Sequence, residues 1–174
     1  MTIVFYTAGT IAVAATVLTV TRFHAVHALL YLIVSLLAVS VIFYDFGAPF
    51  VAALEVIVYA GAIMVLFVFV VMLLNLGEQA SRAEHALLTP SMWIGPAILV
   101  AILLAQFVWL LVRGGAPPAA RAEIGSVEVG MALFGRYLMG AELASMLLLA
   151  GLVGAYHLGW RKAPKVEVTH ASHP

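Results

Sequence analysis

Five runs of about twenty apolar residues constrain the fold of this chain more than any other feature. They lie at about 2–21, 28–44, 50–76, 93–112 and 133–160. An α-helix rises about 1.5 Å per residue, so each run is close to the ~20 residues that span a ~30 Å hydrocarbon layer. Only 9% of the 174 residues are charged, against about 25% in soluble domains, too few to cover a water-facing surface. In lipid every backbone N–H and C=O must be satisfied within the protein, which leaves helices and closed barrels. Barrel strands alternate polar and apolar residues, and these runs do not. The sequence therefore predicts an all-α integral membrane protein with five transmembrane helices, residues 1–160 forming one domain and 161–174 a polar tail.

The connections set the topology. The stretch 22–27 is short and polar, which predicts a tight hairpin between the first two helices. The stretch 45–49 carries Gly47 and Pro49, which punctuate helices. Two longer stretches, 77–92 and 113–130, read as solvated loops. The first nine residues, MTIVFYTAG, have no basic stretch and no small-residue cleavage pattern, so the first run reads as a retained helix. With five spans, Arg22, Arg82, Arg161, Lys162 and Lys165 fall on one side and Arg113, Arg121 and Arg136 on the other. The excess of basic residues marks the cytoplasmic side, which predicts the N-terminus outside and the C-terminal tail in the cytoplasm. Trp93, Trp109 and Trp160 sit near predicted helix ends, where interfacial anchors belong.

Composition also excludes function classes. The net charge is +0, which argues against a nucleic-acid partner. There is no cysteine, so disulfides, thiolate metal sites and cysteine-bound iron–sulfur clusters are out. No Ser/His/Asp set, metal-spaced histidine cluster or phosphate-binding loop is visible. We expect no catalytic centre, cofactor or metal in this chain. His24 and His27 read as an interfacial polar turn, and His157 has no partner at matched depth.

Polar residues inside the runs are the remaining source of chemistry. Glu55 lies in the third run, where a charged carboxylate costs roughly 2.5 kcal/mol or more without compensation. Tyr59 follows at i+4 and shares its face. The pair reads either as a proton-carrying acid beside a water-holding hydroxyl or as a hydrogen-bonded structural acid. Glu142, in the fifth run, shares a face with Ser145 and Met146 and is either a second proton-path residue or an acid snorkelling to the headgroups. The predicted orientation puts both acids in the outer half of the membrane, on the order of 8–14 Å inside their helix ends. Ala60, Gly61 and Ala62 permit close backbone approach. Gly61 precedes the run VLFVFVV, rich in weak helix formers, which makes this turn a candidate π-bulge, an extra residue in a helical turn. Small residues four apart at Ala8/Ala12, Ala150/Gly154 and Gly151/Ala155 predict tight helix packing.

The string EVIVYAGAIMVLFVFVVMLLNL, residues 55–76, resembles the third helix of subunit J of bacterial NADH:quinone oxidoreductase, respiratory complex I. HALLYLIVSLLAVS at 27–40, WIGPAIL at 93–99 and ELASMLLLAGLVGAYHLG at 142–159 extend the resemblance over most of the chain. It implies a five-helix subunit of the membrane arm, in the bacterial inner membrane, near subunits A, H and K and lipid. NADH, FMN, iron–sulfur clusters and quinone would then belong to other subunits. It further implies a π-bulge in the third helix that reverts to α-helix and gates a hydrated proton path, with Tyr59, Gly61, Val65 and Phe67 as marked positions and Glu55 as the helix's acid. The rival readings are a subunit of a related cation/proton antiporter or membrane hydrogenase, and a purely structural membrane subunit.

Overall fold

The computed structural model describes residues 2–22, 25–74, 91–112 and 124–159, and these are helical almost throughout. The order is α1 (Thr2–Thr21), α2 (Ala25–Asp45), α3 (Pro49–Leu54), a π-helical segment (Glu55–Ile63), α4 (Met64–Leu74), α5 (Ser91–Val112), α6 (Ser126–Met131), a second π-helical segment (Ala132–Arg136) and α7 (Leu138–Gly159). Segment α3, the first π segment and α4 run on as a single span. Among the described residues five helices are long and apolar enough to cross a membrane, the third being Pro49–Leu73 and the fifth Leu138–Gly159. This matches the number of spans expected from the apolar runs.

Two expectations need correcting. The stretch expected to be loop up to residue 130 contains α6, so the chain is already helical at Ser126. The fifth span was expected to start at 133, but a π segment occupies Ala132–Arg136 and regular α-helix begins only after Tyr137 (φ −107°, ψ 20°). The stretches 77–90 and 113–123, Trp160 and the 161–174 tail lie outside the described residues.

Residues Met1–Ser126 form one compact unit. Its core is the α1–α2 hairpin. Val4, Ala8, Ile11 and Ala15 recur every three or four residues along α1 and meet Val34, Ala38 and Val41 of α2, with Leu103 of α5 completing the cluster. That spacing makes a single helical stripe. Ala8, Ala15 and Ala38 are fully buried, and Ala12 packs against the same cluster, as the Ala8/Ala12 pair predicted. In lipid, apolar area alone does not drive helices together, so close approach and interhelical hydrogen bonds carry the packing. The Ser35 hydroxyl donates to the Ala12 carbonyl (3.1 Å) and shares a 2.8 Å hydrogen bond with the Thr16 hydroxyl. The Gln106 amide of α5 donates to the Val4 carbonyl (2.8 Å) and to the Thr7 hydroxyl (2.7 Å). Where α5 meets α2, a Cβ on Gly95 would collide with the Tyr31 hydroxyl; only glycine permits that approach.

The α2–α3 turn is built on Gly47, whose φ of +82° disfavours any other residue. The Gly47 N–H bonds the Tyr44 carbonyl (3.0 Å) and the Ala48 N–H bonds the Phe43 carbonyl (3.1 Å), closing the end of α2. Pro49 then takes a first-turn position of α3, where its missing N–H costs nothing. The Ile124 N–H donates to the Gly47 carbonyl (2.9 Å), tying the chain just before α6 to this turn. From Val127 on, the remaining described residues belong to a second compact unit, in which no residue of α7 is buried.

Candidate functional site: the π-helical segment of the third span

The third span changes its winding twice without breaking. At the lower boundary the Glu55 N–H reaches the carbonyls of Ala52 and Val51, three and four residues back. At the upper boundary the Met64 N–H reaches those of Gly61 and Tyr59, three and five residues back. The five-residue reach is the π pattern. Leu54 (φ −62°, ψ −40°) and Met64 (φ −67°, ψ −38°) keep ordinary α dihedrals, so the nine-residue π segment Glu55–Ile63 is flanked on both sides by regular α conformation.

The segment holds three of the residues singled out in the sequence. Glu55 opens it and is half-buried; Tyr59 is half exposed; Gly61 lies near its end and is half-buried. Among the described residues neither the Glu55 carboxylate nor the Tyr59 hydroxyl is hydrogen-bonded or ion-paired. A Cβ on Gly61 would sit 3.1 Å from the Val56 carbonyl oxygen, five residues back, with nothing else within 4 Å. Glycine therefore leaves room for the carbonyl that π winding brings beneath position 61.

Val65 and Phe67 do not lie in the π segment. They belong to α4 beyond it and are largely exposed. The winding thus starts and ends earlier than the 59–67 stretch expected from the resemblance, and Val65 and Phe67 are residues that a change of winding would rotate. Met64, just before them, is buried (5%), as is Ala52 (6%), in a span that packs against α2. Glu142 is exposed on α7 in the second unit, where the Ser145 hydroxyl donates to its backbone carbonyl (2.7 Å). The Ala150/Gly154 and Gly151/Ala155 pairs are on the same helix, unburied within this chain. Among the described residues no group of three His, Cys, Asp or Glu side chains is placed to hold a metal ion. His27 stacks on Tyr31 with ring centroids 5.1 Å apart, and the Arg22 guanidinium lies 5.5 Å from the centre of the Tyr31 ring, so His27 is part of the packed end of the hairpin.

Two contributors escaped the sequence. Ser40, buried on α2, donates its hydroxyl to the Ala52 carbonyl (2.8 Å) at the foot of the π segment. Gly95 permits the α2–α5 approach. Both lie in strings that carry the resemblance, 27–40 and 93–99, but nothing in those strings sets them apart, and only tertiary contact identifies them.

The sequence also matches known proteins. Residues 15–158 fit the family model for NADH-ubiquinone/plastoquinone oxidoreductase chain 6. The chain is similar to NADH-quinone oxidoreductase subunit J of Pseudomonas aeruginosa, 52% identical over 166 residues, covering 94% of this chain and 99% of the relative. It is similar to the subunit of the same name in Escherichia coli K12, 54% identical over 159 residues, covering 91% of this chain and 86% of the relative. A Buchnera aphidicola subunit J is 47% identical over 162 residues, covering 93% and 99%. With a family model covering most of its length and relatives this close over almost all of theirs, the chain belongs to the NADH-ubiquinone/plastoquinone oxidoreductase chain 6 family.

Proposed function

We propose that this chain is a membrane-arm subunit of a proton-pumping NADH-quinone oxidoreductase, and that its third span couples quinone reduction to proton translocation by switching between π and α winding. The family membership supports the first part. The observation that carries the second is the nine-residue π segment Glu55–Ile63, which places an acid, a tyrosine and a glycine in one turn-altered stretch of a membrane span. Taking out one residue of winding turns everything beyond it by ~100°, one residue's share of a 3.6-residue turn. Val65 and Phe67 of α4 then move in or out of a water path that Glu55 and Tyr59 line. Glu142, in the second unit, is a further proton-path candidate. The N-terminus lies outside and the C-terminal tail in the cytoplasm of a bacterial inner membrane, where subunits A, H and K and lipid cover the exposed faces. The redox chemistry, with its NADH, FMN, iron–sulfur clusters and quinone, takes place in other subunits, and this chain contributes no catalytic centre, cofactor site or metal site.

Tyr59→Phe tests the reading. In inverted membrane vesicles, NADH-driven acidification per NADH oxidised should fall while the amount of assembled complex stays at wild-type level. Loss of assembled complex in step with the lost activity would instead make the segment a packing element.

A further inference from the structure

The fifth span carries a winding change of its own, close to an acid. The Tyr137 N–H bonds the Ala132 carbonyl at 2.8 Å, five residues back, where α winding would give it the Leu133 carbonyl, four back. One residue more than an α turn holds is therefore wound into Ala132–Arg136. Tyr137 (φ −107°, ψ 20°) leaves the α region, and regular α-helix resumes at Leu138. Glu142 lies in the second turn of α7, and the Ser145 hydroxyl donates to its backbone carbonyl (2.7 Å). Acid and hydroxyl, three residues apart on one face, are the polar side chains of an otherwise apolar stretch, LMGAELASMLLL.

The surroundings leave this winding free to change. No residue of the π segment or of α7 is buried within the chain, whereas the buried Ala52 and Met64 flank the π segment of the third span. A change of winding at 132–136 thus displaces no buried side chain of this chain. Gly135 sits inside the turn, where an added Cβ would meet nothing within 4 Å, and glycine is the weakest helix former after proline. Passing from π to α exchanges one backbone acceptor of the Tyr137 N–H for its neighbour, so the donor stays satisfied in both forms. It also brings α7 round by about 100°, and the Glu142–Ser145 face with it. We infer that Ala132–Arg136 is a second winding switch, which turns Glu142 toward and away from a proton path. This assignment rests on the reading of Glu142 as a proton-path residue and adds to it the element that presents the acid.

The test uses the assembled complex in native membranes. This subunit has no cysteine of its own, so single cysteines at 146, 147, 148 and 149, one full turn of α7, report which face a membrane-permeant thiol reagent reaches, read by mass spectrometry of the subunit. A second ladder at 65, 66, 67 and 68 reports the third span. Between rest and NADH oxidation the labelling maximum on α7 should move by about one position, the step that ~100° makes along a helix. Deleting Gly135 leaves Tyr137 four residues from Ala132, so the same N–H and carbonyl close an ordinary α turn and α7 keeps its direction with no residue to spare. That variant should freeze the α7 ladder in its resting pattern and lower protons pumped per NADH at unchanged assembly. If it does not assemble, the wild-type ladder alone decides. An α7 ladder that stays fixed while the third-span ladder moves makes Ala132–Arg136 a static spacer, and overturns the inference with the third-span switch intact. If neither ladder moves, both switches fall. A deletion variant that pumps like wild type overturns the inference, and so does a Glu142→Gln complex that pumps like wild type, because the turn would then present no working acid.

Discussion

Gly61 isolates the winding of the third span from everything around it. A methyl group at this position meets one atom within 4 Å, the Val56 carbonyl oxygen at 3.1 Å, and that atom belongs to the same helix. The contact is a few tenths of an ångström too close, so π winding must loosen to admit it. We expect Gly61→Ala to shift the balance toward the α form by about 0.5–1 kcal/mol, the scale on which a single glycine-to-alanine change is felt in a helix; at 1.4 kcal/mol per tenfold that is roughly a two- to fivefold change. Gly61→Val adds branched bulk against the same carbonyl and should shift it by about 1–3 kcal/mol, the range for overpacking. The assay is acidification per NADH oxidised in reconstituted vesicles, with assembled complex quantified in parallel on native gels. Coupling should fall in the order wild type, Ala, Val, with assembly unchanged. A Gly61→Val complex that assembles and pumps at the wild-type ratio would refute the reasoning, because the added Cβ meets the Val56 carbonyl of the same helix.

Other outcomes follow from the same geometry. Glu55→Gln should depress proton translocation while leaving assembly intact; an unchanged proton-to-electron ratio and turnover would remove Glu55 as an obligatory carrier. Gly95→Ala should lower the thermal stability of the assembled complex by about 1–3 kcal/mol, because the new Cβ falls on the Tyr31 hydroxyl with the adjacent ring carbon 3.3 Å away. Tyr31→Phe in the same chain should recover part of that loss, and a double mutant no more stable than Gly95→Ala would contradict the steric account. Ser35→Ala removes the hydroxyl that bridges Ala12 and Thr16; detergent unfolding should show a loss of about 0.6 kcal/mol, typical of interhelical bonds in lipid, with coupling untouched.

The five spans were legible because length and apolarity are all that a membrane asks of a helix. The α1–α2 hairpin was legible from the short polar turn, and the Ala8/Ala12 contact from residue size. The winding of the third span was not. Gly61 and the β-branched run pointed to the right helix, yet the π segment begins six residues before Gly61 and closes before Val65. Helix propensities differ by fractions of a kcal/mol per residue, too little to place a one-residue insertion. The lower boundary coincides with the bond from Ser40, a contact between residues twelve apart that no local pattern encodes. The second π segment, Ala132–Arg136, was missed for the same reason. Helix α6 was hidden because Glu128 and Gly130 give that stretch the look of a loop.

The most direct measurement is to image the assembled complex by electron cryomicroscopy at rest and during turnover and to trace the third span in each class. The account predicts one class with π winding over Glu55–Ile63 and another in which the span is α-helical, with Val65 and Phe67 turned by about 100°. Identical winding in every class, at rest and in turnover, would contradict it.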